Sequence, residues 1–334
     1  MASLLRFRYS PSTWSTDSVT RRIYQPLDSN LGAEMGDPWF RPPDGYEAKR
    51  FDMENGDVAL FAWNDREAYW LGNTETPEAL WRTDKVDLDD APFEIGRWAQ
   101  RELLAHLHER TPWLESYPNI SWFFLPVFLS KDGRESSVAF FSKHTAGFPE
   151  TNRKRALSFY EDFLETGVLN PYRHVMAGKV GTSTRVNVTR MTAAMGEFNT
   201  AYLLYANGHD FEPEAAVSTG HSIDFRVEQA NGSFLVEVTR PAPPRRRNTN
   251  SPKIALRQTA STKTEGQLDA HGGGVVLLVD CSSFTDEEWD VLASERPDVG
   301  HKPAVVYRLR PDGSVSGYSR GSVPIELAGI VDGQ

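Results

Sequence analysis

Between His221 and Pro241 the chain reads HSIDFRVEQANGSFLVEVTRP, with apolar and polar residues alternating on both sides of Asn231-Gly232. Alternation broken by Asn-Gly predicts two antiparallel strands joined by a tight turn. With Asn231 and Gly232 as the loop, Arg226 faces Glu237 and Asp224 faces Thr239. Ile223, Phe225 and Val227 then share an apolar face with Phe234, Val236 and Val238. The other face carries Asp224, Arg226, Glu228, Leu235, Glu237 and Thr239. In that register Asp224 and Glu237 are diagonal neighbours, roughly 7–8 Å apart at the backbone, so their carboxylates can converge on one ion.

The flanking segments carry a different period. Upstream, MGEFNTAYLLYANGHDF places Phe198, Ala201, Tyr202 and Tyr205 at helical spacing, with Glu197 on the flank and Gly208 as a stop. Downstream, TASTKTEGQLDAHGGG puts Lys263, Gln267 and His271 on one helical face, and GVVLLVDCS reads as a fully buried strand. The predicted order is helix, strand, hairpin, helix, strand. Between hairpin and helix lies PAPPRRRNTNSP, residues 241–252, whose prolines forbid regular structure and leave three arginines on an extended loop.

Residues 1–180 predict a separate α+β region. YEAKRFDM, DVALFAW and EAYWLGN look like short strands, PFEIGRWAQRELLAHLHER like an amphipathic helix, and 152–165 like another. SWFFLPVFLS and SSVAFFSK, on either side of Lys131-Asp132-Gly133-Arg134, read as a hairpin. Trp63, Trp70, Trp81 and Trp98 are candidates for stacking on bases, although aromatic residues at these spacings usually belong to a core. No catalytic motif stands out in this region.

Composition narrows the function classes. The 334 residues are 39% hydrophobic and 25% charged, and no apolar run approaches the ~20 residues of a membrane span. The N-terminus, MASLLRFRYSPSTW, has no apolar stretch of signal-peptide type, so a cytoplasmic, membrane-free protein is expected. The single cysteine, Cys281, excludes an intrachain disulfide and a thiolate metal cage, and suits a small buried residue at a strand end. Net charge is −10, and the basic residues comprise 27 Arg and only 9 Lys. Such a balance fits a protein kept soluble at high salt, or equally a high-GC genome. It also means that any nucleic-acid binding relies on a local basic patch.

Asp224 and Glu237 form the kind of site that holds a hard cation: Mg²⁺ takes one or two carboxylates and completes its shell with water and phosphate oxygens. Taken alone the pair reads more readily as a solvated acidic face. The segment resembles the PD-(D/E)xK, restriction-endonuclease-like nuclease superfamily, in particular archaeal Holliday-junction resolvases and RecB-type nucleases. That resemblance rests on a glutamate in the first helix, an aspartate in one strand, an (E/D)-x-K triplet in the next and a glutamine in the following helix. Glu197, Asp224, Glu237 and Gln267 stand at those positions. The triplet departs from the pattern, reading Glu237-Val238-Thr239 with threonine in place of lysine. Some members bring the lysine from a neighbouring helix, and Lys263 is the candidate here.

The resemblance covers about a third of the chain and implies a restriction-endonuclease-like mixed α/β sheet flanked by helices over residues 185–320. It implies a Mg²⁺- or Mn²⁺-dependent nuclease acting on nucleic acid, DNA foremost. Glu197, Asp224 and Glu237 would hold the metal, and Lys263 and Gln267 would support water and phosphate. Arg240, Arg245, Arg246 and Arg247 would contact the backbone, where a planar guanidinium grips two oxygens at once; for the three consecutive arginines a solvated loop is an equal reading. The competing expectation, carried by Thr239, is an inactive nuclease-like module for nucleic-acid binding or assembly. The whole chain also resembles an uncharacterised protein family of halophilic archaea. Oligomeric state is left open, with a homodimer among the options.

Overall fold

A computed structural model describes residues 5–74, 91–130, 133–181, 187–216, 222–230, 232–244, 251–268 and 274–332. Its contacts divide the chain into two units: Met1–Ser137 with Gly181–Arg185, and Val138–Val180 with Val186–Gln334.

In the first unit, five antiparallel strands run in the order β1-β5-β4-β3-β2. They are β1 (Arg6–Ser10), β2 (Ala33–Gly36), β3 (Glu47–Met53), β4 (Val58–Trp63) and β5 (Ala68–Gly72). Helices α1 (Thr16–Val19) and α2 (Gln25–Leu31) are joined by a π-helical turn, and α3 (Phe93–Arg110) follows the sheet. Trp14, Phe51, Phe61, Trp63 and Trp70 share one buried cluster, and Trp98 is buried on α3. Three of the four candidate base-stacking tryptophans are therefore core residues; Trp81 lies outside the described residues.

The hairpin expected around residues 131–134 is overturned. Helices α4 (Pro118–Phe123), α5 (Leu125–Phe128) and α6 (Arg134–Lys143) occupy those segments, and Lys131 and Asp132 lie outside the described residues. Phe123, Phe124, Leu125, Val127 and Phe128 are all buried. A continuous apolar run buried all round has no period to separate helix from strand. Prolines at the first positions of α4 and α5, where a missing N–H costs nothing, mark the helix starts.

The second unit is a mixed α/β layer. Its helices are α7 (Arg153–Glu165), α8 (Arg173–Val180), α9 (Val188–Ala206), α10 (Pro252–Lys263) and α11 (Asp286–Glu295). Seven strands run in the order β12-β11-β10-β9-β8-β7-β6. They are β6 (Phe211–Ala216), β7 (Ser222–Gln229), β8 (Gly232–Thr239), β9 (Val275–Asp280), β10 (Ala304–Leu309), β11 (Val315–Arg320) and β12 (Ile330–Val331). β8, β9 and β10 are parallel, while β6, β7 and β8 are antiparallel. β9 and β10 are buried at every residue, as central strands covered on both faces must be. Ala255, Leu256 and Ala260 of α10 join Leu277, Val279 and Val306 in one core. Among the described residues, no helix is long and apolar enough to cross a membrane.

Helices α7 and α8, which the sequence pattern leaves with the N-terminal region, cluster with this unit. The ring of Tyr202 on α9 lies 4.8 Å from that of Phe159 and 5.5 Å from that of Phe163, and the Tyr160 hydroxyl donates to Asn199 at 2.8 Å.

The hairpin itself forms, with its register moved by two residues. Arg226 pairs with Leu235, Val227 with Phe234, and Gln229 with Gly232, while Ala230 lies in the turn. The strand thus begins at Gly232, one residue earlier than the Asn-Gly loop predicts; Asn231 lies outside the described residues. An even shift leaves every side chain on its original face. Asp224 moves from a diagonal position to one opposite Glu237.

Candidate metal centre

The candidate site is assembled from six elements of the second unit. α9 starts at Asn187, whose side chain accepts from the Arg190 N–H, and buries Met191, Ala194, Met195, Phe198 and Ala201. Glu197 stands on that helix with its carboxyl largely shielded from water. α8 packs against α9, and the Arg190 guanidinium reaches the last carbonyls of α8, Lys179 and Val180, at 3.5 and 3.4 Å. A cation at a helix C-terminus is favourable. In this arrangement Lys179 faces Glu197. β6 adds Glu214, at a φ of 55°. The β6–β7 ladder pairs Pro213 with Phe225 and Ala215 with Ile223, passing over Glu214 and Asp224. A left-handed non-glycine residue costs roughly 1–2 kcal/mol, so the surrounding contacts must hold it.

The Lys179 ammonium contacts Glu197 Oε2 and Glu214 Oε1 and lies 3.7 Å from Asp224 Oδ1. Glu197, Glu214 and Asp224 each offer an oxygen, and these atoms lie within 4.8 Å of one another. The backbone then links this group to β8: the Val238 N–H donates to Asp224 Oδ2 at 2.8 Å, and the Asp224 N–H to Glu237 Oε2 at 3.4 Å. Glu237 is almost fully buried, and Lys263 at the end of α10 places Nζ 2.5 Å from its Oε1.

Four carboxyls around two ammonium groups leave an excess of negative charge in a poorly hydrated place. Burial pushes the Glu197 carboxyl up to about 8; Asp224 adds to the rise and Lys179 opposes it. Glu237 is raised by burial and by Asp224, with Lys263 opposing. Burial works against the Lys179 ammonium, but the carboxylates of Glu197 and Asp224 outweigh it and hold Lys179 above its ordinary range. Lys179 is thus held as an ammonium, and Glu197 takes a proton more readily than an ordinary carboxyl. All-oxygen donors with unmet negative charge are what a hard divalent cation needs, so these residues fit Mg²⁺ or Mn²⁺.

The residues singled out in the sequence divide clearly. Glu197 and Asp224 meet in the three-carboxylate group, and Glu237 with Lys263 stands beside it. Glu214 takes the third place in the group and, with Lys179, has no counterpart in the sequence motif. α10 stops at Lys263 and a wider π-helical turn, Thr264–Leu268, takes over, so simple helical spacing does not carry from Lys263 to Gln267. The side chain of Gln267, and His271, Arg245, Arg246 and Arg247, lie outside the described residues.

Arg240 is a correction. Its side chain is fully buried: Nε donates to Ser283 Oγ at 2.8 Å, one terminal nitrogen donates to the Gly147 carbonyl at 2.9 Å, and Nε lies 3.4 Å from Asp280 Oδ2. Asp280, also fully buried, accepts from Asn199 at 2.8 Å and from the Ser282 N–H. A Cβ at Gly196 would lie 3.1 Å from Arg240 Cβ, so the glycine lets α9 press onto this pair. Arg240 thus follows Val236 and Val238 into the interior and does not face a phosphate backbone. Cys281 is equally inaccessible, with burial pushing its thiol well above the ordinary range. Such a thiol is no nucleophile.

A cavity of ≈ 890 Å³ opens beside Lys263 and is lined by Thr239, Arg257, Thr259 and Thr262 among others. The first unit holds a second ionisable cluster: Arg50 donates twice to Asp52, at 2.7 Å each, and lies 3.5 Å from buried Glu102. Its acidic groups are both engaged by Arg50, and burial lowers neighbouring His106 to about 4, so the cluster reads as a structural brace.

The model of a family described as "Family of unknown function (DUF5784)" matches residues 2–327. No curated protein matches the chain. Among solved structures, Pyrococcus furiosus SfsA in complex with Ca²⁺ is similar at 14% identity over 42% of this chain and 62% of that one, with a TM-score of 0.18. A likeness at that score carries no argument about fold or activity.

Proposed function

This chain belongs to the DUF5784 family, whose function is unknown, and from its site together with the motif resemblance in its sequence we propose that the second unit is a Mg²⁺- or Mn²⁺-dependent nuclease of restriction-endonuclease-like type, hydrolysing phosphodiester bonds in nucleic acid, DNA first. The observation that carries the proposal is the convergence of Glu197, Glu214 and Asp224, with ligand atoms within 4.8 Å of one another, beside a buried Glu237 that bears Lys263. Residues from α9, β6, β7, β8 and α10 meet there although 66 positions separate Glu197 from Lys263 in the chain.

In this reading Glu197, Glu214 and Asp224 hold the ion, which when bound supplies Lewis-acid stabilisation of the phosphodiester and a more acidic water. Glu237, with its raised carboxyl on the edge of the group, takes a proton from the attacking water. Lys263 steadies Glu237 and presents positive charge to the phosphate, in the role the motif assigns to the residue at Thr239. The cavity beside Lys263 takes the strand, with Arg257 at hand for a phosphate, and Arg245, Arg246 and Arg247 add backbone contacts. The test is cleavage of labelled single- and double-stranded DNA and RNA with Mg²⁺, Mn²⁺ or EDTA. Metal-dependent cleavage that EDTA abolishes supports the reading. No cleavage of any substrate, with no metal binding, ends it.

Thr239 favours one alternative, a nuclease-like domain that binds nucleic acid without cutting it. Metal-independent binding with no cleavage by the folded protein would select that alternative.

A further inference from the structure

We propose that Lys179 is a built-in counter-ion that occupies the cation position of the three-carboxylate group, so that a divalent metal binds only by displacing it. The inference rests on the metal-centre reading above and adds a control on that site. Lys179 Nζ touches Glu197 Oε2 and Glu214 Oε1 and lies 3.7 Å from Asp224 Oδ1, the same three residues whose oxygens lie within 4.8 Å of one another. A point between three oxygens so spaced is within hydrogen-bonding reach of each, and a small contraction makes it a site for a hard cation. One position serves both charges, and it cannot hold both. Two cations a few ångströms apart in a shielded environment repel strongly.

The placement is built into the fold. α8 rests on α9, and Arg190 holds the α8 end by its Lys179 and Val180 carbonyls. The backbone of Lys179 is thus tied beside Glu197, and its flexible four-carbon stem carries the ammonium to the carboxylates. Lys263 is already engaged with Glu237. The chain has 9 lysines in all; one meets the three-carboxylate group and a second meets Glu237 beside it. The consequence is a metal site that stays partly neutralised, and keeps its shape, until the free cation concentration is high enough to win. Lys179 acts through the carboxylates and is a positioning residue.

The experiment is Mn²⁺ binding by titration calorimetry and by electron paramagnetic resonance, alongside thermal unfolding with and without Mn²⁺, on the full chain. Lys179→Met removes the ammonium and keeps the stem. It should bind Mn²⁺ about 10-fold more tightly or better, and gain more thermal stability from Mn²⁺ than the parent does. Lys179→Arg retains a cation and should bind no more tightly than the parent. If Lys179→Met folds only when Mn²⁺ is present, the metal is replacing the lost ammonium, which supports the inference. Equal or weaker Mn²⁺ affinity in folded Lys179→Met overturns it while leaving the metal centre standing. Absence of Mn²⁺ binding in both the parent and Lys179→Met overturns the metal centre and this inference together.

Discussion

Replacing Lys263 with alanine tests whether a lysine from α10 has taken over the role vacated at Thr239. The side chain of Glu237 is only 6% exposed and that of Lys263 23%, with Nζ 2.5 Å from Oε1. Breaking a fully buried ion pair costs about 3–5 kcal/mol. Water reaches the lysine side of this one and screens it, and Glu237, already raised by burial, can take up a proton instead. The stability loss should therefore be about 1–2 kcal/mol. The catalytic loss should be larger. Removing a positioned charge donor from the reacting centre lowers turnover by ~10²-fold or more. Single-turnover cleavage of labelled DNA in Mn²⁺ measures the rate, calorimetry the metal affinity, and urea unfolding the stability. The expected pattern is a slow, folded enzyme that binds Mn²⁺ nearly as well as the parent. The deficit should persist at alkaline pH, where protonation of Glu237 no longer contributes. A Lys263→Ala protein that cleaves like the parent, or whose rate recovers fully at alkaline pH, would refute the assignment.

Asp224→Asn and Glu237→Gln should each abolish cleavage while the protein stays folded, since an amide keeps the shape but loses the anionic oxygen; in a gel assay an active Asp224→Asn would place the metal elsewhere, and an active Glu237→Gln would remove Glu237 as the proton acceptor. Arg240→Ala should destabilise the protein by about 3–5 kcal/mol by leaving Asp280 buried without its cation, seen as a loss in urea midpoint; an unchanged midpoint combined with weaker DNA binding would return Arg240 to the surface. The folded state binds a proton on Glu197 more tightly than the unfolded chain does, from the ordinary value of 4.5 up to about 8. Metal-free stability should therefore fall as pH rises through that window. Glu197→Gln should flatten this decline, and an unaltered pH profile in that variant would contradict it.

The sequence by itself determined which residues pair with which face, and the two pieces of local chemistry that follow from a period. Alternation about Asn231-Gly232 put Asp224 and Glu237 on one side of a hairpin, because a strand's two faces are set by parity, and parity survived the two-residue shift in register. Helical spacing placed Glu197 on α9 and Lys263 on α10, and the uninterrupted apolar run of β9 announced a central strand. Where the chain is buried on all sides, as from Phe123 to Ser130, that signal vanishes, which is why the segment before residue 131 reads as a strand and folds as helices. Only the tertiary structure decided what converges. Lys179 and Glu214 lie in segments with no motif, and one is delivered by the packing of α8 on α9, the other by a left-handed residue in β6 that no residue type foretells. Arg240 directly follows the strand that carries Glu237 and reads as a surface cation, yet α9 at Gly196 and the buried Asp280 enclose it. Periodicity reports that a face is covered. What covers it, and which charges meet there, depends on contacts between distant segments, and those exist only once the chain has folded.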